Sequence, residues 1–312
     1  MDNLINDGSI QEPEHTQDEL NPPTELPRIW SAITVPFLAI IVGAVVAAVG
    51  LVAAIMLMGI HLTPTNIESA TQQLVSQPVG IWVMVLPGQI VFLAAAFVAA
   101  LLSPVPFRER LQMSESRLPV WTWVVLAAGT PAIGSFLSLL MQVSGIEFSK
   151  HLELMSELLG GKSGLQLVVT AVLVGVVPGY VEEVLFRGYL QSRLLQRWSP
   201  LAAIVVSSAI FGIAHIDPMH SLLVFPIGLW LGFVAWRCGS VWPAVICHMA
   251  NNLASVALVQ LEIDEQNMQT AEFLLFVPCC IALIASFYLL LRTGPKEKDE
   301  LLPEAPEHIN TQ

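Results

Sequence analysis

Charged residues are scarce in this sequence. Asp, Glu, Lys and Arg make up 12% of its 312 residues, whereas hydrophobic residues make up 54% and the mean hydropathy is +0.68. A soluble domain of ordinary composition is about 25% charged, because ionic groups cover its surface. The scarcity of charge therefore argues against a cytosolic enzyme or a disordered chain and predicts a polytopic membrane protein. The net charge of −12 also disfavours nucleic acid as a partner.

The motifs of several other enzyme classes are missing. The sequence has no HExxH pair for a helical zinc site and no CxxC spacing for zinc or redox chemistry. Its four cysteines lie in or beside apolar runs and are predicted to be small core residues. No Asp falls inside a predicted span, and Ser207 and Ser208 lack the GxSx context of an intramembrane serine nucleophile.

The two ends of the sequence are polar. The first 28 residues hold seven carboxylates and one arginine, and they lack the basic start and the early apolar stretch of a secretory signal. We therefore predict a disordered acidic cytoplasmic tail over 1–30 and a second cytoplasmic tail over 293–312.

Long apolar runs fill the region between the tails. About 20 apolar residues cross the hydrocarbon core of a bilayer as an α-helix. The runs predict an all-α fold with about eight transmembrane helices, at 31–58, 81–102, 119–143, 165–190, 200–216, 220–236, 242–258 and 271–292. The chain then divides into helices 1–3 over 31–163, a core of helices 4–7 over 164–258, and an outer loop with helix 8 over 259–292.

Lysine and arginine are distributed unevenly among the connections. Of the 13 basic residues, only Lys150 and Lys162 lie on one side of the predicted membrane, and the others lie on the opposite side. Basic residues are retained on the cytoplasmic side. We therefore expect both termini in the cytoplasm. The expected location is the plasma membrane of a prokaryote, as an integral membrane protein.

Polar side chains interrupt the predicted spans at three places, where each ionisable group costs at least ~2.5–3.5 kcal/mol to insert. The clusters are Glu182, Glu183 and Arg187 in helix 4, His215 in helix 5, and His248, Asn251 and Asn252 in helix 7. Glu182 and His215 each lie 16 residues from a turn at 198–200, so a helix hairpin would bring them to one depth. Of the other histidines, only His220 is retained as a candidate.

Side chains in these clusters are spaced four residues apart, on one face of a helix. The pairs are Glu183–Arg187, Phe211–His215 and His248–Asn252. The first pair is predicted to form an ion pair, which leaves Glu182 free for chemistry. We therefore predict an active-site cavity between helices 4, 5 and 7, beside a helix 4 that Pro178-Gly179 loosens. The alternative is that these groups only join helices together.

The three clusters resemble the signature of the CPBP intramembrane protease family, which includes CAAX proteases and bacteriocin-processing enzymes and is also called Abi. The family signature is EExxxR, then FxxxH, then HxxxN on separate helices. This sequence reads EEVLFR from Glu182, FGIAH from Phe211 and HMANN from His248. A glycine-bearing helix before the last motif is matched by Gly228 and Gly232, and the whole resemblance covers about 175–258.

The resemblance implies hydrolysis of peptide bonds within the membrane by a CPBP-like catalytic core over 164–258. Glu182 would be the general base and His215 would orient the attacking water. His248 and Asn252 would donate hydrogen bonds to the oxyanion. Glu183 and Arg187, together with Phe211, would support these groups. The partners implied are the lipid bilayer and a protein or peptide substrate, with lipid-modified proteins among the candidates.

Two alternatives stay open at this stage. No definite cofactor is implied, but Glu182, His215 and His248 would also suit a divalent metal site, with zinc bound by two His and one Glu. Glu183 would then be the base. The second alternative is a non-catalytic membrane scaffold or binding protein of the same fold.

Overall fold

The computed structural model of the chain describes residues 28–147, 149–260 and 265–292. Within these ranges every regular element is a helix, which confirms the predicted all-α polytopic membrane protein. In chain order the helices are α1 (Ile29–Leu57), α2 (Ile67–Val75), α3 (Gly80–Leu101), α4 (Phe107–Arg110), α5 (Val120–Ser144), α6 (Lys150–Leu159), α7 (Gly164–Leu195), α8 (Pro200–Ile213), α9 (Pro218–Cys238), α10 (Trp242–Gln260) and α11 (Glu265–Arg292).

Each predicted span coincides with one of the longer helices. Six of them, α1, α3, α5, α7, α9 and α10, are long and apolar enough to cross a bilayer, and α8 and the apolar part of α11 are shorter. Many large apolar side chains on these helices are exposed on the outside of the bundle, as is expected for surfaces that face lipid. The tails over 1–27 and 293–312 lie outside the described residues, so their predicted disorder stays a prediction.

Three short helices lie where the sequence predicts only connections. They are α2 between the first and second spans, α4 between the second and third, and α6 between the third and fourth. The side chains of α2 and α6 meet through an ion pair between Lys150 Nζ and Glu68 Oε1 at 2.9 Å. Because both helices are short and partly polar, a search for runs of about 20 apolar residues does not find them. In addition, α11 begins at Glu265, so part of the predicted outer loop is helical.

Helix α7 is irregular on both sides of its carboxylates. Two π-helical segments, Ala171–Val176 and Val184–Gln191, flank the α-helical stretch Val177–Glu183. Pro178 has no N–H to donate to the carbonyl of Val174 four residues earlier, which disrupts the α-helical pattern there. The predicted loosening of helix 4 is therefore present, and π-helical turns are frequent at functional sites.

Close packing against α7 and α8 fixes the neighbouring helices. A Cβ at Gly179 would lie 2.9 Å from the backbone nitrogen of Met249, so α7 and α10 approach each other backbone to backbone. A Cβ at Gly228 would lie 3.1 Å from the ring of Phe211. The Ser199 hydroxyl accepts a hydrogen bond from the Ala202 N–H and caps α8 after the α7–α8 turn. These contacts bring the three polar clusters together.

Candidate active site

Glu183 is the centre of a buried polar network. Its Oε1 accepts a hydrogen bond from Arg187 Nη1 at 2.7 Å, and both side chains are fully buried. Arg187 Nη2 donates to the carbonyl oxygen of Gly228 at 2.9 Å, where the missing glycine side chain leaves room for the guanidinium. The ion pair expected from the spacing is present within α7, and the hydrogen bond from Arg187 to Gly228 joins α7 to α9.

The same carboxylate fixes the orientation of His248. The Nδ1 atom of His248 lies 2.9 Å from Glu183 Oε1. A carboxylate paired with a guanidinium is ionised and only accepts hydrogen bonds, so Nδ1 is assigned as the protonated nitrogen. In neutral His248 the other nitrogen, Nε2, then carries a lone pair. His248 can donate a hydrogen bond from Nε2 only when it carries both protons.

Glu182 lies beside this network and contacts a third helix. Its Oε2 is 3.9 Å from His248 Nε2, and its Oε1 accepts a hydrogen bond from Gln89 Nε2 at 2.8 Å. Sequence reasoning missed Gln89 because it started from ionisable groups within spans, and the predicted span 81–102 contains none. A signal was available, since Gln89 is the only amide, hydroxyl or charged side chain in α3.

His215 lies at the end of α8, where the helix gives way to a turn. Its Nδ1 is 3.0 Å from the carbonyl oxygen of Phe211, so Nδ1 carries the proton and Nε2 is the acceptor of the neutral ring. The ring of His220 lies 4.5 Å from that of His215, centroid to centroid, with an interplanar angle of 69°. His220 therefore packs directly against a predicted catalytic residue.

Phe211 is the apolar contact that the two predicted catalytic histidines share. Its ring centroid is 5.1 Å from that of His215 and 5.7 Å from that of His248, both edge to face. The guanidinium carbon of Arg187 lies 4.5 Å from the Phe211 ring centroid, on the scale of a cation–π contact. The structure thus brings the motif residues of α7, α8 and α10 into one cluster.

Asn252 has a partner that the sequence did not predict. Its Nδ2 donates to the carbonyl oxygen of Val174 at 3.2 Å. That carbonyl is the one that Pro178 leaves without an α-helical partner. A primary amide carries two N–H groups. One N–H of Asn252 therefore satisfies the Val174 carbonyl at the helix break, and the predicted oxyanion contact would use the other N–H.

The three side chains considered for zinc are not gathered as a ligand set. In the part of the chain that the structure describes, no group of three or more His, Cys, Asp or Glu side chains is arranged to hold a metal ion. His248 Nδ1 is engaged by Glu183, and its Nε2 lies 3.9 Å from the nearer oxygen of Glu182. The donor geometry therefore does not fit a two-His, one-Glu zinc site as it stands.

A cavity of about 200 Å³ lies elsewhere in the molecule, between α2, α3, α6 and the start of α7. Trp82, Leu158, Lys162 and Thr170 are among the residues that line it, and none of the motif residues does. The predicted cavity between helices 4, 5 and 7 stays a prediction.

Two comparisons with known proteins agree with the motifs. Residues 164–254 match the model of a family described as Type II CAAX prenyl endopeptidase Rce1-like. A protein of Bacillus subtilis (strain 168) named "Putative membrane peptidase YdiL" is 31% identical over 99 residues, which are 31% of this chain and 40% of that protein. No solved structure matches the chain. The family resemblance drawn from the motifs is thereby confirmed for the segment that carries them. Gln89 lies outside that segment.

Proposed function

We propose that this chain is an intramembrane endopeptidase that hydrolyses peptide bonds of membrane-associated substrates with a water activated by Glu182. The observation that carries the proposal is the environment of Glu182. One of its oxygens is held by Gln89, and the other lies 3.9 Å from His248. A carboxylate fixed in this way, next to a histidine of another helix, suits a general base better than a structural contact.

The protons can be followed through the proposed reaction. Glu182 takes a proton from water while the water oxygen attacks the carbonyl carbon of the scissile bond. The Nε2 lone pair of neutral His215 accepts a hydrogen bond from the second O–H of the water and orients it, and that hydrogen stays on the oxygen. The C–N bond then breaks, and Glu182 returns its proton to the leaving nitrogen.

His248 and Asn252 donate hydrogen bonds to the oxyanion in this proposal. His248 donates from Nε2, so it acts with both nitrogens protonated. Asn252 donates through the N–H that Val174 does not use. Each such donor is worth about 3–4 kcal/mol of transition-state stabilisation in comparable sites.

Glu183 and Arg187 are positioning residues. Arg187 balances the charge of Glu183, and Glu183 holds the Nδ1 side of His248 so that Nε2 faces Glu182. Phe211 fills the space between the two histidines and Arg187. None of these three side chains takes or gives a proton in the reaction.

The proposal assigns no step to a metal, and metal dependence can be measured directly. Purified protein is treated with a chelator, its metal content is measured, and cleavage is followed before and after zinc is added back. Full activity in metal-free protein supports the glutamate mechanism. Activity that is lost with the metal and restored by zinc supports the alternative.

The experiment that tests the proposal compares two variants in liposomes. Candidate substrates are membrane proteins that accumulate uncleaved in cells carrying Glu182→Gln. Purified wild-type protein should cleave them, and Glu182→Gln and His215→Ala should not. Glu115→Gln, an exposed carboxylate in the connection before α5, is the matched control. A non-catalytic scaffold would give no cleavage with any of the four proteins.

We also propose the orientation that the basic residues predict, with both termini in the cytoplasm, and the plasma membrane of a prokaryotic cell as the location. The connection before α2 would then lie outside. A membrane-impermeant thiol reagent should label Thr63→Cys, which is exposed, in intact cells. A reporter active only in the cytoplasm should be active when fused to the C-terminus.

A further inference from the structure

Two arginines, Arg110, which is buried, and Arg193, which is half-buried, lie together away from the candidate active site. Arg110, at the end of α4, is 7% exposed, and Arg193 lies near the end of α7. Burial and the neighbouring Arg193 guanidinium lower the pKa of Arg110 to about 10. No carboxylate among the described residues forms an ion pair with either side chain. The exposed carboxylate of Glu109 acts on Arg110 only through its charge, which raises the pKa of Arg110.

The fold places both guanidiniums near Tyr189. A Cβ at Gly188 would lie 2.6 Å from the carbonyl oxygen of Leu111, so the α4 end packs directly on α7 beside Tyr189. The Tyr189 hydroxyl accepts a hydrogen bond from Arg193 Nη1 at 2.9 Å. The tyrosine is uncharged in this setting, so it does not neutralise either arginine.

The partners that the arginines do have are neutral. Arg193 Nη2 donates to the Ser31 hydroxyl at 3.1 Å, and Arg110 Nε donates to the Ser103 hydroxyl at 2.6 Å. The Nε atom of Arg193 is buried without a hydrogen-bond partner among the described residues. The Nη atoms of Arg110 donate to no described residue. Two positive charges with unused donors are therefore held close together, and an anion bound there would satisfy those donors and offset the repulsion between the charges.

The position of the cluster in the fold indicates where such an anion comes from. Ser31 lies in the first turn of the first apolar helix, and Arg193 lies in the last turn of the fourth apolar span. Both therefore lie at one end of the membrane-spanning bundle, at the level where lipid headgroups meet water. Basic pockets between transmembrane helices bind phosphate-bearing headgroups, and guanidinium groups match phosphate oxygens in geometry.

We propose that Arg110 and Arg193, with Tyr189 and Ser31 around them, bind one phosphate group. The two sources of that chemistry are the headgroup of a membrane phospholipid and a free phosphate ion. The site does not depend on the peptidase activity proposed above, because it shares no residue with the motif cluster. It ties the α4 connection to the ends of α1 and α7.

The test uses purified, delipidated full-length protein in a phosphate-free detergent solution. Native mass spectrometry measures retention of palmitoyl-oleoyl-phosphatidylglycerol, and the diacylglycerol with the same chains is the phosphate-free probe. Inorganic phosphate is added as a competitor. Arg110→Gln and Arg193→Gln are compared with Arg108→Gln, an exposed arginine on the same short helix.

The wild type and Arg108→Gln should retain phosphatidylglycerol and not diacylglycerol. Arg110→Gln and Arg193→Gln should each bind it at least about tenfold more weakly, because each removes charge-assisted hydrogen bonds. Failure of millimolar phosphate to compete identifies a lipid headgroup, and competition or thermal stabilisation by phosphate alone identifies the free ion. Equal binding of the two lipids by the wild type, or unchanged affinity in both variants, would overturn the proposal. The wild-type comparison holds even when a variant fails to fold.

Discussion

His248 Nδ1 lies 2.9 Å from Glu183 Oε1, and the same oxygen accepts a hydrogen bond from Arg187 Nη1 at 2.7 Å. One buried carboxylate therefore fixes both a guanidinium and an imidazole from different helices. The contact also decides which nitrogen of His248 faces Glu182. In the proposed reaction the adjacent carboxylates of α7 therefore differ in role, since Glu183 positions its neighbours and Glu182 is the base.

Glu183→Gln should lower the stability of the protein. The substitution leaves Arg187 charged and buried without a counter-ion, and breaking a buried pair in this way costs about 3–5 kcal/mol. Reversible denaturant unfolding in mixed micelles measures the free energy of unfolding. Exposed Glu115→Gln is the control and should stay within about 0.5 kcal/mol of the wild type. Equal stability of the two variants would contradict the role given to Glu183.

Gln89→Leu should lower the cleavage rate and leave the fold intact. The variant removes the hydrogen bond to Glu182 at 2.8 Å and keeps the size of the side chain. Hydrogen bonds to charged groups are worth about 1.5–3 kcal/mol, so kcat should fall roughly tenfold or more. Gln72→Leu, on the exposed face of α2, is the matched control and should cleave at the wild-type rate. A Gln89→Leu variant as active as this control would remove Gln89 from the site.

Gly179→Ala should separate α7 from α10. The added Cβ would meet the backbone of Met249 at 2.9 Å, which a rotamer change cannot relieve. Overpacking of this kind costs about 1–3 kcal/mol and should also weaken the contact between Glu183 and His248. Gly88→Ala in α3 is the control, because no atom lies within 4 Å of its Cβ position. Thermal unfolding of both variants tests this prediction, and equal melting temperatures would count against it.

Asp217 should contribute a pH-dependent part of the stability. It caps α9 by accepting a hydrogen bond from the His220 N–H at 2.7 Å, and this bond lowers the pKa of the Asp217 carboxyl. The stabilisation is therefore complete above the ordinary pKa of Asp and is lost as the pH falls through the lowered value.

The Asp217 cap is tested with two variants. At neutral pH, Asp217→Ala should cost about 0.5–2 kcal/mol, whereas Asp217→Asn keeps a capping oxygen that does not titrate. Unfolding free energies of wild type and Asp217→Asn measured between neutral and acidic pH should diverge. Parallel curves would contradict the assignment.

The sequence predicts the spans and the motif contacts because both rest on local rules. Long apolar runs have few alternatives to a membrane helix, and residues four apart on a helix are neighbours, so the pairing of Glu183 with Arg187 follows directly. Contacts between helices are different. Helix α3 is apolar apart from Gln89, so its sequence singles out that residue but does not show that it faces Glu182.

The partner of Asn252 also depends on tertiary structure. Pro178 alone shows that the Val174 carbonyl lacks its α-helical hydrogen bond. That Asn252 of α10 supplies the missing donor depends on how α7 and α10 approach each other at Gly179. The short helices α2 and α6 were missed for a related reason, since their apolar contacts form only with the rest of the bundle.

The cleavage rate of Glu182→Gln, beside that of the wild type in the same liposomes, tests the central claim most directly. Removal of a general base lowers the rate by roughly 10²–10⁴-fold. We expect the variant to fold, to keep the Glu183–His248 contact and to lose cleavage by at least the lower of these factors. Cleavage by Glu182→Gln at the wild-type rate would contradict the account.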